Sequence, residues 1–488
     1  MELGIARQVS RELPEGPVAD AVVRLHDAAV GLEEAGRCLA PGGVLYGEVD
    51  RSPRLAAASP RQIRRQLERA GLTETATYWC HPGFEQCLAY VPLGAPRAVR
   101  WYLSSASAGY SLPQKLWRLL LAALARYHGR SIAAATRFYA VTAYTSATRR
   151  IEPSLLRHPE LPLPLRQAAL HVLLLTRGTQ RVVMLPFTGD SDHPVAALKV
   201  AKARSGVTTE EHEQGVLEAI HASVDGAMAR TVPRPYGLIR WNDRVVGMEG
   251  GVPGRMLWKP LGRRIVTRQH SGDLRAVAGW LTDFHRQTRT NQVRWGESVY
   301  QESMDRSFET YAERLGTAAN EQRLFEEVRR RSQELTEVTV PTVWMHGDLH
   351  GGNVYRHRGG IAVIDWATGR PGLPLLDLLQ FSMFWYCMVQ RPESGAEAVR
   401  AFRSLFIDRD PGTPAAGAVH DEMSRYMAAL DLDQRFFPVF LVLRWADKAV
   451  ESHRRMQNGA EVAGAKHQVF LRCVQALAAD PGRLFAER

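Results

Sequence analysis

Short apolar runs alternate with amphipathic stretches in the first third of the chain. The stretch from Pro60 to Ala70 has helical spacing and ends at Gly71, a residue that commonly terminates helices. Four apolar runs predict strands: 18–25, 44–49, 86–91 and 137–143. Because strands that alternate with helices usually form parallel sheets, this part predicts an α/β domain with a doubly wound, parallel sheet.

The hydrophobic pattern changes twice further along the chain. The proline-rich stretch 151–164 interrupts the periodicity and predicts a linker, and three strands follow at 172–176, 181–187 and 195–200. Helical spacing predominates in the rest of the chain, and the earlier stretch 112–127 also has it. The later predicted helices are 274–287, 307–335, 394–407, 418–430, 435–456 and 464–478. The predicted divisions are therefore 1–145, a linker at 146–165, 166–252 and 253–488.

Composition limits the class of protein. A chain of 488 residues is too long for one ordinary core, so we expect two or three domains. The net charge of +11 comes from dispersed arginines rather than from a basic tail, which argues against nucleic acid as a partner. Five cysteines do not form a disulfide framework. No apolar run approaches transmembrane length and no signal peptide is visible, so we expect a cytoplasmic protein without a membrane partner.

The most informative segment lies between residues 344 and 366. It contains three oxygen-bearing side chains: Asp348, Asn353 and Asp365. The residues between the last two predict a β-hairpin, with a strand from Val354, a turn at 357–360 and a second strand at 361–364. A hairpin folds back on itself, so Asn353 and Asp365 should lie close together. A carboxylate that can act as a base, beside two metal-binding side chains, suits phosphoryl transfer.

The simpler interpretation of these residues is an ordinary turn, because Asp and Asn beside Gly are common turn residues. The conjunction argues for function. His346-Gly347-Asp348 is followed by four residues, then Asn353, then a hydrophobic strand that ends in Asp365-Trp366.

This segment resembles the catalytic loop and metal-binding strand of the aminoglycoside phosphotransferase and choline kinase family. The resemblance implies a two-lobed, protein-kinase-like α+β fold, with an N-lobe at 166–252 and a helical C-lobe at 253–488. It also implies that Asp348 is the catalytic base and that Asn353 and Asp365 bind Mg²⁺.

A lysine on a buried strand supports the same resemblance. Lys199 alternates with apolar neighbours at 196–200, which is costly unless its charge meets an anion. In kinase-like folds this lysine contacts the α- and β-phosphates and pairs with a helix glutamate. Glu213 lies on the apolar edge of the following helix and is our first choice for that partner, with Glu210 second.

The resemblance also assigns residues around the nucleotide and the loop. Backbone groups in one segment would bind the adenine edge: Met248, Glu249 and Gly250. The Glu249 side chain could equally be a solvated hinge residue. His346 would support the loop by hydrogen bonding, His350 could reach the substrate, and Asp377, at a helix start, would be structural.

The first 145 residues resemble the second half of a class I methyltransferase. The resemblance rests on the turn from Leu39 to Leu45 and on Ala70-Gly71-Leu72. The first strand and glycine-rich turn that bind S-adenosylmethionine in that family have no counterpart before Val18. We therefore interpret this Rossmann-type segment as a structural remnant or a docking surface, which leaves a protein partner or a homo-oligomer open.

We therefore expect an Mg²⁺-dependent O-phosphotransferase that uses ATP or GTP. Its acceptor is a small-molecule hydroxyl of an aminoglycoside, sugar, nucleoside or other metabolite. Two alternatives are a methyltransferase-related protein completed by a partner chain and a pseudokinase-like binding module. The second is disfavoured because the lysine, base and metal-binding residues are all present: Lys199, Asp348, Asn353 and Asp365. A protein kinase is disfavoured by the missing glycine-rich loop.

Overall fold

Residue contacts in the computed structural model divide the chain into two units. Unit 1 contains residues 1–214 and 234–255, and unit 2 contains residues 215–233 and 256–488. The structure describes these residues: 18–25, 39–50, 60–105, 136–145, 154–162, 165–166, 170–176, 181–202, 207–241, 243–257, 267–290, 292–408, 413–457 and 463–485. The helix predicted at 112–127 lies outside them.

Unit 1 is built on a ten-stranded sheet. Its strands are β1 Val18–Leu25, β2 Leu39–Asp50, β3 Leu72–His81, β4 Ala89–Pro92, β5 Phe138–Thr145, β6 His171–Leu175, β7 Arg181–Phe187, β8 Ala196–Ala201, β9 Pro235–Trp241 and β10 Arg244–Gly250. They are ordered β1-β2-β5-β3-β4-β6-β7-β8-β10-β9 across the sheet. Its helices are α1 Pro60–Arg69, α2 Pro96–Ser105 and the start of α3 Val207–Ser223. The strands predicted from apolar runs are all present, with shifted ends.

The direction of the strands corrects the predicted parallel sheet. β1 and β2 are parallel. The other strand pairs described in this sheet, from β2–β5 to β10–β9, are antiparallel. Antiparallel neighbours need only short connections, such as the segment between β3 and β4, so alternation of strands with helices did not determine strand direction here.

The sheet runs without a break across the predicted linker. β4 pairs with β6 through Ala89 opposite Leu175 and Tyr90 opposite Leu174. Leucines from the linker region are buried in the same core as Leu198 of β8: Leu155, Leu161 and Leu165. Prolines thus interrupt the helical periodicity of this region without removing it from the core. The predicted domain limits stay predictions, and the contact units follow a different division.

Unit 2 is mainly helical. Its helices after α3 are α4 Gly226–Ala229, α5 Thr267–Thr288, α6 Val299–Leu315, α7 Ala319–Gln333, α8 Leu376–Gln390, α9 Gly395–Phe402, α10 Pro414–Ala429, α11 Phe436–Gln457, α12 Ala463–Ala479 and α13 Pro481–Leu484. The short strands from residue 255 onward are β11 Arg255–Met256, β12 Gln292–Arg294, β13 Thr339–Pro341, β14 Val343–Met345, β15 Val354–His357, β16 Gly360–Val363 and β17 Arg370–Gly372. The single helical segment predicted at 307–335 is two helices, because Gly316 adopts φ +73° and ends α6.

The core of unit 2 is aromatic and surrounds α11. Phe436 and Phe440 stack on each other at 5.0 Å between ring centroids, and Trp295 packs against both rings. Trp366, directly after Asp365, is fully buried against Phe284. This packing fixes α11 and the segment around Asp365 in one core. Among the described helices, none combines the length and apolar character needed to cross a bilayer.

Candidate active site

The predicted hairpin is confirmed. β15 and β16 pair from Val354 opposite Val363 to His357 opposite Gly360, which leaves a two-residue turn. Beyond the strands, the Ile364 amide donates to the Asn353 carbonyl at 2.9 Å. Asn353 and Asp365 therefore leave the hairpin at the same end. Asp365 has φ +68°, a conformation that non-glycine residues adopt rarely and that often marks functional positions.

Residues 346–353, which we call the HGD loop, are anchored at their first turn by Asp377. The fully buried Asp377 carboxylate, in the first turn of α8, accepts the His346 amide at 2.6 Å and the Gly347 amide at 2.9 Å. Gly347 has φ +79°, and a Cβ there would lie 2.6 Å from the Thr368 carbonyl oxygen. The loop can therefore follow this path only with glycine at position 347.

The two histidines of the HGD loop have different environments. His346 Nδ1 accepts the Asp348 amide at 3.2 Å, so its Nε2 carries the proton and donates to the Ile364 carbonyl at 2.9 Å. His350 Nδ1 accepts the Gly352 amide at 3.0 Å, and its Nε2 lies 4.0 Å from Asp348 Oδ2. Burial lowers the pKa of His350, and the Asp348 charge only partly opposes this.

The Asp348 carboxylate is surrounded by hydrogen-bond donors. Oδ1 accepts from Gln380 Nε2 and from Lys448 Nζ, each at 3.0 Å, while Oδ2 lies 3.5 Å from an Arg455 nitrogen. Burial by itself raises the pKa of Asp348, but Lys448, His350 and Arg455 together outweigh it and hold that pKa well below its usual range. Asp348 is therefore ionised throughout the neutral range, and an ionised carboxylate can orient a hydroxyl as well as accept its proton.

The residues that surround Asp348 were missed from the sequence. Four of them form one face of α11, here called the charged face: Arg444, Lys448, Glu451 and Arg455. Buried Arg444 donates to the Gly347 carbonyl at 2.7 Å and to Gln380 Oε1. Lys448 Nζ also donates to Glu451 Oε2 at 2.7 Å. Their spacing of four, three and four residues places them on one face of the helix, and this was the signal that could have identified them.

The donor atoms beside Asp348 suit a magnesium ion. Asn353 Nδ2 donates to the Asp348 carbonyl at 3.1 Å, which directs its Oδ1 to the other side of the amide. Within the described part of the chain, no group of three or more His, Cys, Asp or Glu side chains could hold a metal. Two protein oxygens, from Asn353 and Asp365, would leave the remaining positions to phosphates and water, which is how proteins commonly bind Mg²⁺.

In unit 1, Lys199 lies in a buried network of charges. Its Nζ donates to Glu213 Oε1 at 2.5 Å and to Glu249 Oε2 at 2.9 Å. Arg181 donates to the other oxygen of Glu213 at 2.9 Å. Glu213 is therefore the helix partner of Lys199. Burial raises the pKa of the Glu210 carboxyl, the second choice from sequence, and no hydrogen bond to Lys199 is described for it.

The structure places the predicted hinge residues in a strand. Met248, Glu249 and Gly250 lie in β10, which is paired on both sides by β8 and β9. The Met248 carbonyl accepts from Gln214 Nε2 at 2.9 Å, and the Gly250 amide donates to the Arg234 carbonyl at 2.8 Å. These backbone groups are already used. Glu249 is buried in an ion pair rather than solvated.

Comparison with known families decides the class of this site. The sequence model described as "Phosphotransferase enzyme family" matches residues 198–417, which include Lys199 and the whole HGD loop. This part of the chain is a phosphotransferase domain. The family comprises small-molecule kinases that phosphorylate hydroxyl groups. The match begins at residue 198, so the methyltransferase-like interpretation of residues 1–145 stays a prediction.

Several solved structures resemble the phosphotransferase at low identity. An amicoumacin kinase in complex with AMP-PNP, Ca²⁺ and Ami is 18% identical, with 62% of this chain and 87% of that chain covered and a TM-score of 0.40. A glucosamine kinase with glucosamine, ADP and inorganic phosphate is 16% identical over 67% and 97% of the chains, with a TM-score of 0.37. A choline kinase from Cryptosporidium parvum is 13% identical over 64% and 91%, with a TM-score of 0.36. Similarities at this level carry no argument about this phosphotransferase. None of the curated proteins compared matches its sequence.

Proposed function

We propose that this protein transfers the γ-phosphate of ATP or GTP to a hydroxyl group of a small molecule, with Mg²⁺ as the cofactor. One observation carries the proposal. The Asp348 carboxylate is held in a single position by Gln380 and Lys448, on the loop that also places Asn353 at the end of the hairpin. A fixed carboxylate next to hard oxygen donors is the arrangement that phosphoryl transfer requires.

Each residue then has a distinct role. Asp348 orients the acceptor hydroxyl and takes its proton as the new oxygen–phosphorus bond forms. The bond from the γ-phosphorus to the β–γ bridging oxygen breaks, and ADP or GDP leaves. Asn353 and Asp365 would hold Mg²⁺, which when bound neutralises charge on the phosphates. His346 and Asp377 stabilise the conformation of the HGD loop through the hydrogen bonds described above. His350, whose Nε2 lies 4.0 Å from Asp348 Oδ2, borders the place where the acceptor hydroxyl would bind.

Lys199 would contact the α- and β-phosphates of the nucleotide. It is buried with two carboxylates, and Arg181 shares one of them, so the position of its ammonium group is fixed before a nucleotide arrives. A buried charge held by such partners is the kind of preorganised group that phosphate binding needs. Met248, Glu249 and Gly250 are the residues proposed to lie at the adenine edge, with the Met248 carbonyl and the Gly250 amide already hydrogen-bonded within the protein.

The test is a screen for nucleotide consumption. Purified protein with Mg²⁺ and either ATP or GTP is incubated with pools of hydroxyl metabolites and aminoglycosides, and phosphorylated products are identified by mass spectrometry. Asp348→Ala serves as the blank, and Asp421→Asn, which changes an exposed carboxylate on α10, is the matched control. A product formed by wild type and the control, and not by the blank, supports the proposal. Equal activity of Asp348→Ala would refute the assigned base.

No observation in the described residues favours methyl transfer or a purely binding role over phosphoryl transfer. The cytoplasmic location, and a protein partner or second copy bound through residues 1–145, stay predictions from the sequence.

A further inference from the structure

The two oxygens of the Asp348 carboxylate are used unequally. Oδ1 accepts two hydrogen bonds at 3.0 Å, one from Gln380 and one from Lys448. Among the residues that the structure describes, the neighbours of Oδ2 are more distant, Arg455 at 3.5 Å and His350 at 4.0 Å. A carboxylate oxygen with two close donors is a poor further acceptor, so Oδ2 is the oxygen that receives the acceptor hydroxyl.

The space next to Oδ2 is bordered by the charged face of α11. Lys448 is buried and bonded to Asp348 and Glu451, so its position is fixed. The Arg455 side chain is 53% exposed and also pairs with Glu451. An acceptor whose hydroxyl approaches Oδ2 therefore comes close to the Arg455 guanidinium, which is always charged.

The charges around Oδ2 favour some acceptors over others. On α11 the cations Lys448, Arg455 and Arg444 are matched by the nearby acids Glu451 and Asp447. The charged side chain paired with Oδ2 itself is Arg455, at 3.5 Å. The Asp348 charge is already matched by Lys448 and Arg455. Because that carboxylate is already paired, a positive group next to the reacting hydroxyl would gain little attraction from it. The Arg455 guanidinium would repel the same group at short range.

We infer that the acceptor of this phosphotransferase carries no positive charge beside the hydroxyl that reacts, and that Arg455 selects for this. Neutral and acidic hydroxyl compounds are substrates, while amino-substituted ones and polycations are disfavoured. The inference rests on the proposed function and narrows it to a substrate class. It makes Arg455 a specificity residue, whereas Lys448 positions the base.

The test measures acceptor preference as a function of charge. Glucose, glucosamine and glucuronate form a set of similar shape that is neutral, basic and acidic, and the best acceptor from the screen is assayed with its amino and carboxyl analogues. The variant Arg455→Glu is compared with Arg454→Glu, which makes the same charge change at an exposed neighbour with no described contact to Asp348. Because Arg455→Glu also brings a carboxylate near Glu451, Arg455→Gln is the milder second variant.

For wild type, kcat/KM for the neutral or acidic member should exceed that for the amino member by about tenfold or more. Arg455→Glu should lower that ratio by about tenfold and Arg455→Gln by a smaller factor, while Arg454→Glu leaves it unchanged. A wild-type preference for the amino member, or equal ratios in Arg455→Glu and Arg454→Glu, would overturn the inference. Transfer to any acceptor upholds the proposed function whatever its charge, and absence of transfer to every pool would refute both.

Discussion

The strongest prediction concerns Lys448, which lies one hundred residues beyond the base that it contacts. Replacing it with Met keeps the length of the buried stem and removes the ammonium group. Asp348 Oδ1 then loses a 3.0 Å hydrogen bond, Glu451 loses one of 2.7 Å, and the Gly347 carbonyl loses a contact at 3.4 Å. The change therefore weakens both the fold around the HGD loop and the position of the base.

The size of the effect follows from burial. Removing one partner of a buried ion pair costs about 3–5 kcal/mol. Here the side chains of Asp348 and Glu451 are 21% and 33% exposed, and both keep Arg455 as a neighbour. We therefore expect the free energy of unfolding to fall by about 2–3 kcal/mol, and Tm by about 4–12 °C. Because Gln380 alone would hold Oδ1, kcat should fall by about 10- to 100-fold.

The pH profile separates a positioning role from a general loss of stability. Lys448 holds the pKa of Asp348 below its usual range, so the ionised base persists to low pH in the wild type. Without Lys448 that pKa rises, and the acid limb of kcat/KM moves to higher pH. Urea unfolding and pH–rate profiles of Lys448→Met and of the exposed control Arg454→Met measure both effects. Unchanged stability together with an unmoved acid limb would refute this account of Lys448.

Three further predictions concern the loop and the core. Asp348→Asn should reduce the rate of phosphoryl transfer by about a thousandfold or more, while the nucleotide affinity measured by calorimetry stays within about twofold of wild type. A parallel loss of nucleotide affinity would contradict a role limited to the acceptor. Gly347→Ala should lower the free energy of unfolding by about 1–3 kcal/mol, because φ is +79° at this position and an added Cβ would meet the Thr368 carbonyl. Wild-type stability of this variant in urea would argue against this loop path. Burial lowers the pKa of His285 to about 4. Neutral His285 therefore contributes its full stability above about pH 6.5, and about 3 kcal/mol of stability is lost as the pH falls towards 4. His285→Phe should flatten this part of the profile, and an unchanged slope would exclude His285 as its origin.

Much of the site was accessible from the sequence because its signals are local. The hairpin needs only two apolar strands and a glycine-containing turn, so the convergence of Asn353 and Asp365 could be predicted and is confirmed by the pairing of β15 with β16. The Lys199–Glu213 pair was also accessible, because a lysine on a buried strand requires a buried acid.

The parts that were missed depend on contacts distant in sequence. β3 was not predicted, and its pairing with β5 joins segments about seventy residues apart. Lys448 acquires its role only when α11 packs against the HGD loop. Met248 and Gly250 were predicted to lie at the end of a strand, and they do. The pairing of that strand, β10, with both β8 and β9 was not predicted. Local periodicity contains none of this information.

The unbroken sheet of unit 1 has a practical consequence for producing shorter versions of this protein. A chain started near residue 166 would lack β4, so the backbone of β6 that now pairs with Ala89 and Tyr90 would become an open edge. A chain started at residue 198, where the family match begins, would also lose β7, the antiparallel neighbour of the strand that carries Lys199. Open edges of this kind pair with other chains and promote aggregation. We therefore expect that a stable fold requires more of the chain than the segment that defines the enzyme by sequence.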